Sequence, residues 1–306
     1  MFRFLMFFVV SSLSFASDYA DLQALMGQSF LNGNDPYSSE YVGRRPWTRR
    51  LELVENRNGL YLVDNFRHGI QMDSEGEKGQ ANWSSALIDV SRVQRVVFML
   101  TKFDVINFGP ILYRAGHAQM LFEFADGGVM TPSGPVKGIV FSFEVHLKEG
   151  EKYSAIWGGL IKGQYETTIV VGTRRDLFEA AKRDMGAFLV DLDLDQAQKQ
   201  SLLVTSLKHA LDKNRHQTVR YHTIKNSCIT AQFDIMQEAL GTTAHEWVPR
   251  KVLKELKSTG LVTEVVELKT GQEIFDFAQN HFADDAVYHG GQAQKQRQLF
   301  LELYQD

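Results

Sequence analysis

The hydrophobic pattern of this chain changes its period once, and that change limits the fold class. Between residues 96 and 190 short apolar runs recur. One of them, Val140–His146, alternates apolar and polar residues as a half-buried strand does. From Asp195 onward the apolar residues recur at helical spacing instead. Closely spaced strands followed by helices favour an antiparallel sheet packed on helices, so the predicted fold class is α+β. The predicted strands are Val96–Leu100, His117–Phe124, Val140–His146, Thr167–Val171 and Phe188–Val190.

Helix signals follow the predicted sheet. Asp195 is suited to cap the first helix, and Gly241 is suited to end the second. The predicted helices are Asp195–Leu211, Cys228–Leu240, Lys251–Lys257 and Gly271–Phe282.

The segment before the sheet carries a hairpin signal. Leu51–Val54 and Leu60–Val63 flank a polar turn at residues 56–59 that ends in Asn-Gly. Residues 66–90 are polar, and we expect loops there.

The first sixteen residues have the features of a signal peptide. Arg3 precedes the apolar stretch Leu5–Val10, and a small-x-small cleavage site ends at Ala16. The stretch is shorter than the roughly 20 apolar residues that span a bilayer, although a retained membrane anchor is the alternative. We therefore expect an exported protein that is cleaved after Ala16.

Cys228 is the only cysteine. In an oxidising compartment it has no internal disulfide partner, so it is either a reactive thiol or a site of intermolecular pairing. A buried and inert cysteine is the alternative. The formal net charge of −4 argues against nucleic acid as a partner.

The position of Cys228 favours a nucleophile. It lies where a polar loop becomes a helix, and the free N–H groups and dipole of a helix N-terminus stabilise a thiolate or an oxyanion. A thiol nucleophile also needs a base, and spacing alone leaves His117, His146 and His222 as candidates. The chain has no Cys-x-x-Cys, His-Glu-x-x-His or phosphate-binding glycine motif, so we expect no metal and no cofactor.

Four motifs occur in a fixed order: GHAQMLFEFADGG, SFEVHLKEGEKYS, YETTIVVGTRRDLF and YHTIKNSCIT. Together they resemble the Lnb N-terminal periplasmic domain family over about residues 90–240. The namesake of that family is a bacterial lipoprotein N-acyltransferase that works outside the inner membrane. The resemblance implies a periplasmic or outer-envelope location.

The resemblance also implies roles for individual residues. It favours His117 as the base of Cys228, with Glu144 either orienting His117 or pairing with Arg175. The residues that it implies in substrate binding or support are Asn226, Arg175, Asp176, His146 and Tyr221. His146 stands where the family usually has arginine, and Ile229 stands where it usually has threonine.

The order of histidine before cysteine is also similar to the circularly permuted papain-like fold of lecithin–retinol acyltransferase-type proteins. The expected function is therefore acyl transfer through a thioester on Cys228, with a phospholipid or lipoprotein substrate and peripheral membrane contact. Two alternatives stay open: a cell-wall peptide amidase or peptidase with the same pair, and a lipid- or lipoprotein-binding protein without catalysis. The expected divisions are a signal peptide at 1–16, an N-terminal segment at 17–90, the catalytic domain at 91–245 and a helical extension at 246–306.

Overall fold

The computed structural model describes residues 17–26, 48–72, 78–108, 111–148, 151, 165–174, 186–212, 219–246 and 248–281. These residues contain eleven strands, the five α-helices named below and a short 3-10 helix at Val90–Arg92. The strands are β1 (Glu52–Arg57), β2 (Leu60–Met72), β3 (Lys78–Asp89), β4 (Val93–Phe108), β5 (Ile111–Phe124), β6 (Val129–Thr131), β7 (Gly134–Val136), β8 (Gly138–His146), β9 (Glu166–Thr173), β10 (Ala187–Leu192) and β11 (Val262–Leu268). The helices are α1 (17–26), α2 (Gln196–Leu211), α3 (Cys228–Leu240), α4 (Pro249–Ser258) and α5 (Gly271–His281).

The strands form one mixed sheet in the order β11-β10-β4-β5-β8-β9-β2-β3-β6-β7, with β1 paired to β2. The α+β class is confirmed, but the expectation of a purely antiparallel sheet is wrong, because β2 pairs with β9 in parallel at Arg67 and Gly172. A Cβ atom at position 172 would lie 2.6 Å from the carbonyl oxygen of Arg67. Glycine therefore permits the close approach that joins the N-terminal strands to the rest of the sheet.

The predicted strands and the hairpin are confirmed, whereas the loops expected at residues 66–90 are wrong. Strands β2 and β3 occupy most of that range. Several of their polar residues are buried, among them Arg67, His68, Ser84 and Ser85. Polar residues on both faces hide the alternation by which a strand is recognised from sequence.

The helix starts and ends predicted from the sequence agree with the structure. Asp195 caps α2 in a full capping box, and Gly241 ends α3 with the left-handed φ of 68° that favours glycine there. The predicted helices near residues 251 and 271 are α4 and α5. Strand β11 between them was not predicted; it pairs with β10 and extends the main sheet.

The sheet is covered on both of its faces. Helices α2 and α3 contribute to the main apolar core, in which Phe233 of α3 packs on Phe98 of β4. A second core lies under α5 and contains Ile274 together with Met99 and Leu121. Alternate residues of β4 and β5 enter these two cores, as expected for strands buried on both sides.

Strands β5 and β8 separate at one end, and that end positions the site. Their pairing stops at Gln119 and Ser142. Beyond that point β5 continues paired with β4, and β8 continues paired with β9. His117 and Glu144 therefore lie on parts of two neighbouring strands that are no longer joined to each other.

The predicted signal peptide at residues 1–16 lies outside the described residues. Within the described ranges, no helix combines the length and the apolar character that a membrane span requires.

Candidate functional site

Cys228 is the first residue of α3. The helix is capped by Ser227, whose hydroxyl accepts a hydrogen bond from the N–H of Thr230 at 3.3 Å. The hydroxyl of Thr230 in turn accepts from the N–H of Ser227 at 2.8 Å. This capping box leaves the N–H groups of Cys228 and Ile229 without an intrahelical acceptor, because the first turn of a helix has none to offer.

The thiol of Cys228 is buried against β5. Its side chain is 5% exposed, and Sγ lies 3.7 Å from the carbonyl oxygen of Gly116. The next residue of the strand is His117, whose imidazole lies near enough to Cys228 for the negative charge of a thiolate there to raise the pKa of the ring. Strand β5 therefore holds both the sulfur and its neighbouring base.

A serine connects His117 to Glu144. The imidazole Nε2 of His117 lies 2.8 Å from the hydroxyl of Ser142, and that hydroxyl donates to Oε1 of Glu144 at 2.7 Å. The direct distance from His117 Nε2 to Glu144 Oε1 is 3.5 Å. The carboxylate is thus close enough to act on the imidazole both through space and through the serine.

The charge of His117 follows from these neighbours. Burial disfavours protonation of the ring. The negative charges of Cys228 and Glu144, with their hydrogen bonds, outweigh burial and hold the pKa of His117 well above its usual range. This arrangement favours the protonated form of His117.

The other two candidate bases lie elsewhere. The Nδ1 atom of His222 accepts from the N–H groups of Ile224 and Lys225, at 3.2 and 3.3 Å, so that ring stabilises its own turn. The Nδ1 atom of His146 lies 3.0 Å from the hydroxyl of Thr48. Of the three histidines, the structure brings His117 to Cys228.

The loop before Cys228 contains two of the predicted supporting residues. Asn226 pairs with His222 through the backbone, and its side-chain amide donates to the carbonyl of Arg220 at 3.4 Å. Tyr221 is 7% exposed and bonds through its N–H to the carbonyl of Tyr165. Both residues fix the course of the loop that leads into α3.

Some of the predicted residues cannot be placed with the site. Arg175 and Asp176 lie outside the described residues.

Sequence reasoning missed Ser142 and Gln119. Gln119 is 4% exposed, and its side-chain amide donates to the hydroxyl of Ser142 at 3.0 Å. The signal for Ser142 was present, because the period of two that places Glu144 on one face of β8 places Ser142 on the same face. Gln119 stands two residues after His117 on β5 and shares a face with it for the same reason.

The fold and the site define an α+β protein with a buried cysteine–histidine pair at the junction of a sheet and a helix N-terminus. The family model of the Lnb N-terminal periplasmic domain matches residues 79–259, and the chain belongs to that family. As a member of a periplasmic domain family, the protein is exported. No curated protein and no solved structure matches the chain.

Proposed function

We propose that the protein transfers acyl groups through a thioester on Cys228, and that its acyl donor is a lipid or a lipoprotein. The observation that carries the proposal is the contact of the Cys228 sulfur with β5 at Gly116, directly before His117, with His117 supported by Ser142 and Glu144. Nucleophile, base and orienting carboxylate are then neighbours, which is the arrangement that thiol acyl transfer requires.

The first half-reaction makes the thioester. The sulfur of Cys228 attacks the ester carbonyl carbon, and the N–H groups of Cys228 and Ile229 stabilise the oxyanion that forms. When the carbon–oxygen bond of the ester breaks, the departing oxygen takes a proton from His117. The products are an acyl-enzyme and a free hydroxyl on the donor.

The second half-reaction releases the acyl group. An amine attacks the thioester carbonyl and gives its proton to His117, and the carbon–sulfur bond breaks. Cys228 leaves as the thiolate beside the protonated His117, so the pair is ready for another acyl donor. Glu144 keeps the imidazole in place through both steps.

The lipid or lipoprotein substrate is supported by the family, whose namesake acylates lipoproteins. We also propose that the site is a circularly permuted papain-like arrangement. Its support is the order of His117 on a strand before Cys228 at a helix N-terminus. Phospholipid contact at the envelope membrane follows from the same proposal.

Trapping the thioester tests the proposal. The protein is mixed with diacyl phosphatidylethanolamine vesicles or with a diacylated lipopeptide, quenched in acid and weighed by intact mass spectrometry. We expect one added acyl mass that neutral hydroxylamine removes, and no such mass in Cys228→Ala. His222→Asn is the matched histidine control, because asparagine keeps an acceptor for the turn, and it should acylate normally.

Two outcomes would contradict the lipid assignment. If a peptide amide or peptide ester forms the adduct and neither lipid does, the protein is a thiol amidase or peptidase. If no donor forms an adduct, but wild-type protein and Cys228→Ala bind the lipid vesicles equally, the protein binds lipid without turning it over.

A further inference from the structure

The hydroxyl of Ser142 is the meeting point of three side chains. Its Oγ lies 2.8 Å from Nε2 of His117, 3.0 Å from Nε2 of Gln119 and 2.7 Å from Oε1 of Glu144. Ser142 is fully buried, so no solvent competes for these positions. A hydroxyl has one proton to give and two lone pairs to offer, so three neighbours use all of its capacity.

The direction of each hydrogen bond follows from what the neighbours can do. The carboxylate of Glu144 only accepts, so it takes the single proton of Ser142. The amide nitrogen of Gln119 only donates, so it occupies one lone pair of the hydroxyl. The remaining lone pair faces His117, which must therefore carry a proton on Nε2.

We propose that Gln119 is a positioning residue that sets the tautomer of His117. Its amide directs the proton of Ser142 towards Glu144 and keeps the proton of the neutral imidazole on Nε2. The Nδ1 atom is then left as the basic atom for Cys228. The inference rests on the proposed use of His117 as the base.

The free energy that the buried Oε1 atom of Gln119 costs supports a positioning role for this residue. While its nitrogen bonds Ser142, its own Oε1 atom is buried and has no hydrogen-bond partner among the described residues. Unsatisfied buried acceptors are rare in proteins because they cost free energy. If the amide of Gln119 were flipped, Oε1 would face Ser142. The single hydroxyl proton of Ser142 is already donated to Glu144, so Oε1 would still lack a donor.

The location of Gln119 suits the same role. It is the register partner of Ser142, and this pair is the last one joined before β5 and β8 separate. The hydrogen bond between the two side chains therefore holds the Ser142 hydroxyl at the point where β5 and β8 stop pairing, close to His117. Residues beyond this pair lack that cross-strand restraint.

The first experiment reads the tautomer directly. In protein labelled with ¹⁵N-histidine and carrying Cys228→Ala, which removes the thiolate and with it one cause of the raised pKa, His117 is brought to its neutral form by raising the pH. We expect the Nε2–H tautomer to dominate by more than about tenfold, and Gln119→Met to reduce that ratio to about threefold or less. Because no thiol is present, the result is independent of acyl transfer.

A matched glutamine gives the control. Gln232 of α3 is also buried and donates through Nε2 to the carbonyl of Phe141 at 3.2 Å. Its Oε1 atom likewise finds no partner in the part of the chain that the structure describes. Gln232→Met should leave the tautomer of His117 unchanged. With Cys228 present, we expect Gln119→Met to slow iodoacetamide alkylation by about tenfold, and Gln232→Met to slow it less than twofold.

Three results would overturn the inference. One is a dominant Nδ1–H tautomer with Gln119 intact, which needs no variant at position 119. The second is a Gln119→Met protein with the wild-type tautomer ratio, and the third is equal loss of alkylation in the two methionine variants.

If Gln119→Met does not fold, Gln119→Glu keeps the shape, removes the donor and should lose the Nε2–H preference. If the Nε2–H tautomer dominates but no donor forms a thioester on Cys228, the proposed function is contradicted and this inference stands.

Discussion

The sulfur of Cys228 lies 3.7 Å from the carbonyl oxygen of Gly116, the residue that precedes His117 on β5. The nucleophile is thereby placed by the backbone of the strand that carries its base. The contact depends on the start of α3 at Cys228. Changes at either the helix cap or the imidazole should therefore alter the reactivity of Cys228 in separable ways.

The reactivity of Cys228 should depend on His117 and not on His222. We expect His117→Ala to slow iodoacetamide alkylation at pH 6.5 by about tenfold or more, because the imidazolium no longer stabilises the thiolate. His222→Asn keeps an acceptor for the N–H groups of its turn and should react at the wild-type rate. Equal slowing in both variants would mean that the loop, and not the base, controls the thiol.

The pH dependence of stability should report the ion pairs of His117. The pKa of His117 is raised well above its usual value in the folded protein. Its contribution to stability is therefore complete below about pH 6.5, the pKa expected of an unfolded histidine, and is lost as the pH rises through the folded value. Urea unfolding at several pH values should show this fall in wild type and a smaller one in Glu144→Gln. An identical fall in Glu144→Gln would contradict a direct effect of that carboxylate on His117.

The cap of α3 should matter for both stability and reactivity. Ser227→Ala removes the acceptor of the Thr230 N–H and should cost about 1 kcal/mol of unfolding free energy. It should also slow alkylation of Cys228, since the first turn of the helix loosens. Asp195→Ala removes the equivalent cap of α2, should cost a similar amount and should leave alkylation unchanged. Alkylation that is slowed equally by both variants would point to a general loss of stability.

The join between β2 and β9 should be sensitive to a single methyl group. Gly172→Ala places a Cβ atom 2.6 Å from the carbonyl oxygen of Arg67 and 3.0 Å from its Cβ, so the strands must move apart. We expect a loss of about 2 kcal/mol or more in urea unfolding. Gly69→Ala in β2 meets only the end of the Asn82 side chain at 3.4 Å and serves as the matched control, with a loss under about 1 kcal/mol. A near-neutral Gly172→Ala would show that this parallel pairing is not needed.

The sequence predicted the local features of the site because they depend on near neighbours in the chain. The start of α3 at Cys228 follows from a capping box formed within four residues, and its end follows from Gly241. The strand that carries His117 is an apolar run closed by a turn at residues 125–128. These signals do not require knowledge of what packs against them.

Features that depend on distant contacts were not predictable in the same way. The parallel contact of Arg67 with Gly172 joins residues about a hundred positions apart, and no local pattern encodes it. Buried polar residues such as His68 and Ser85 made two strands resemble loops. Gln119 could be placed on a strand from sequence, but its contact with Ser142 depends on the register between β5 and β8.

The sheet order has a consequence for how the protein can be divided. The family match begins at residue 79, which excludes β2, yet β2 is the strand between β3 and β9. A fragment of residues 79–259 would keep β3 and β9 but lose the strand that both of them pair with. It would also lose β11 and with it one partner of β10. The sheet is thus wider than the stretch by which the family is recognised, and trimming to that stretch would leave two separate pieces of sheet with open edges.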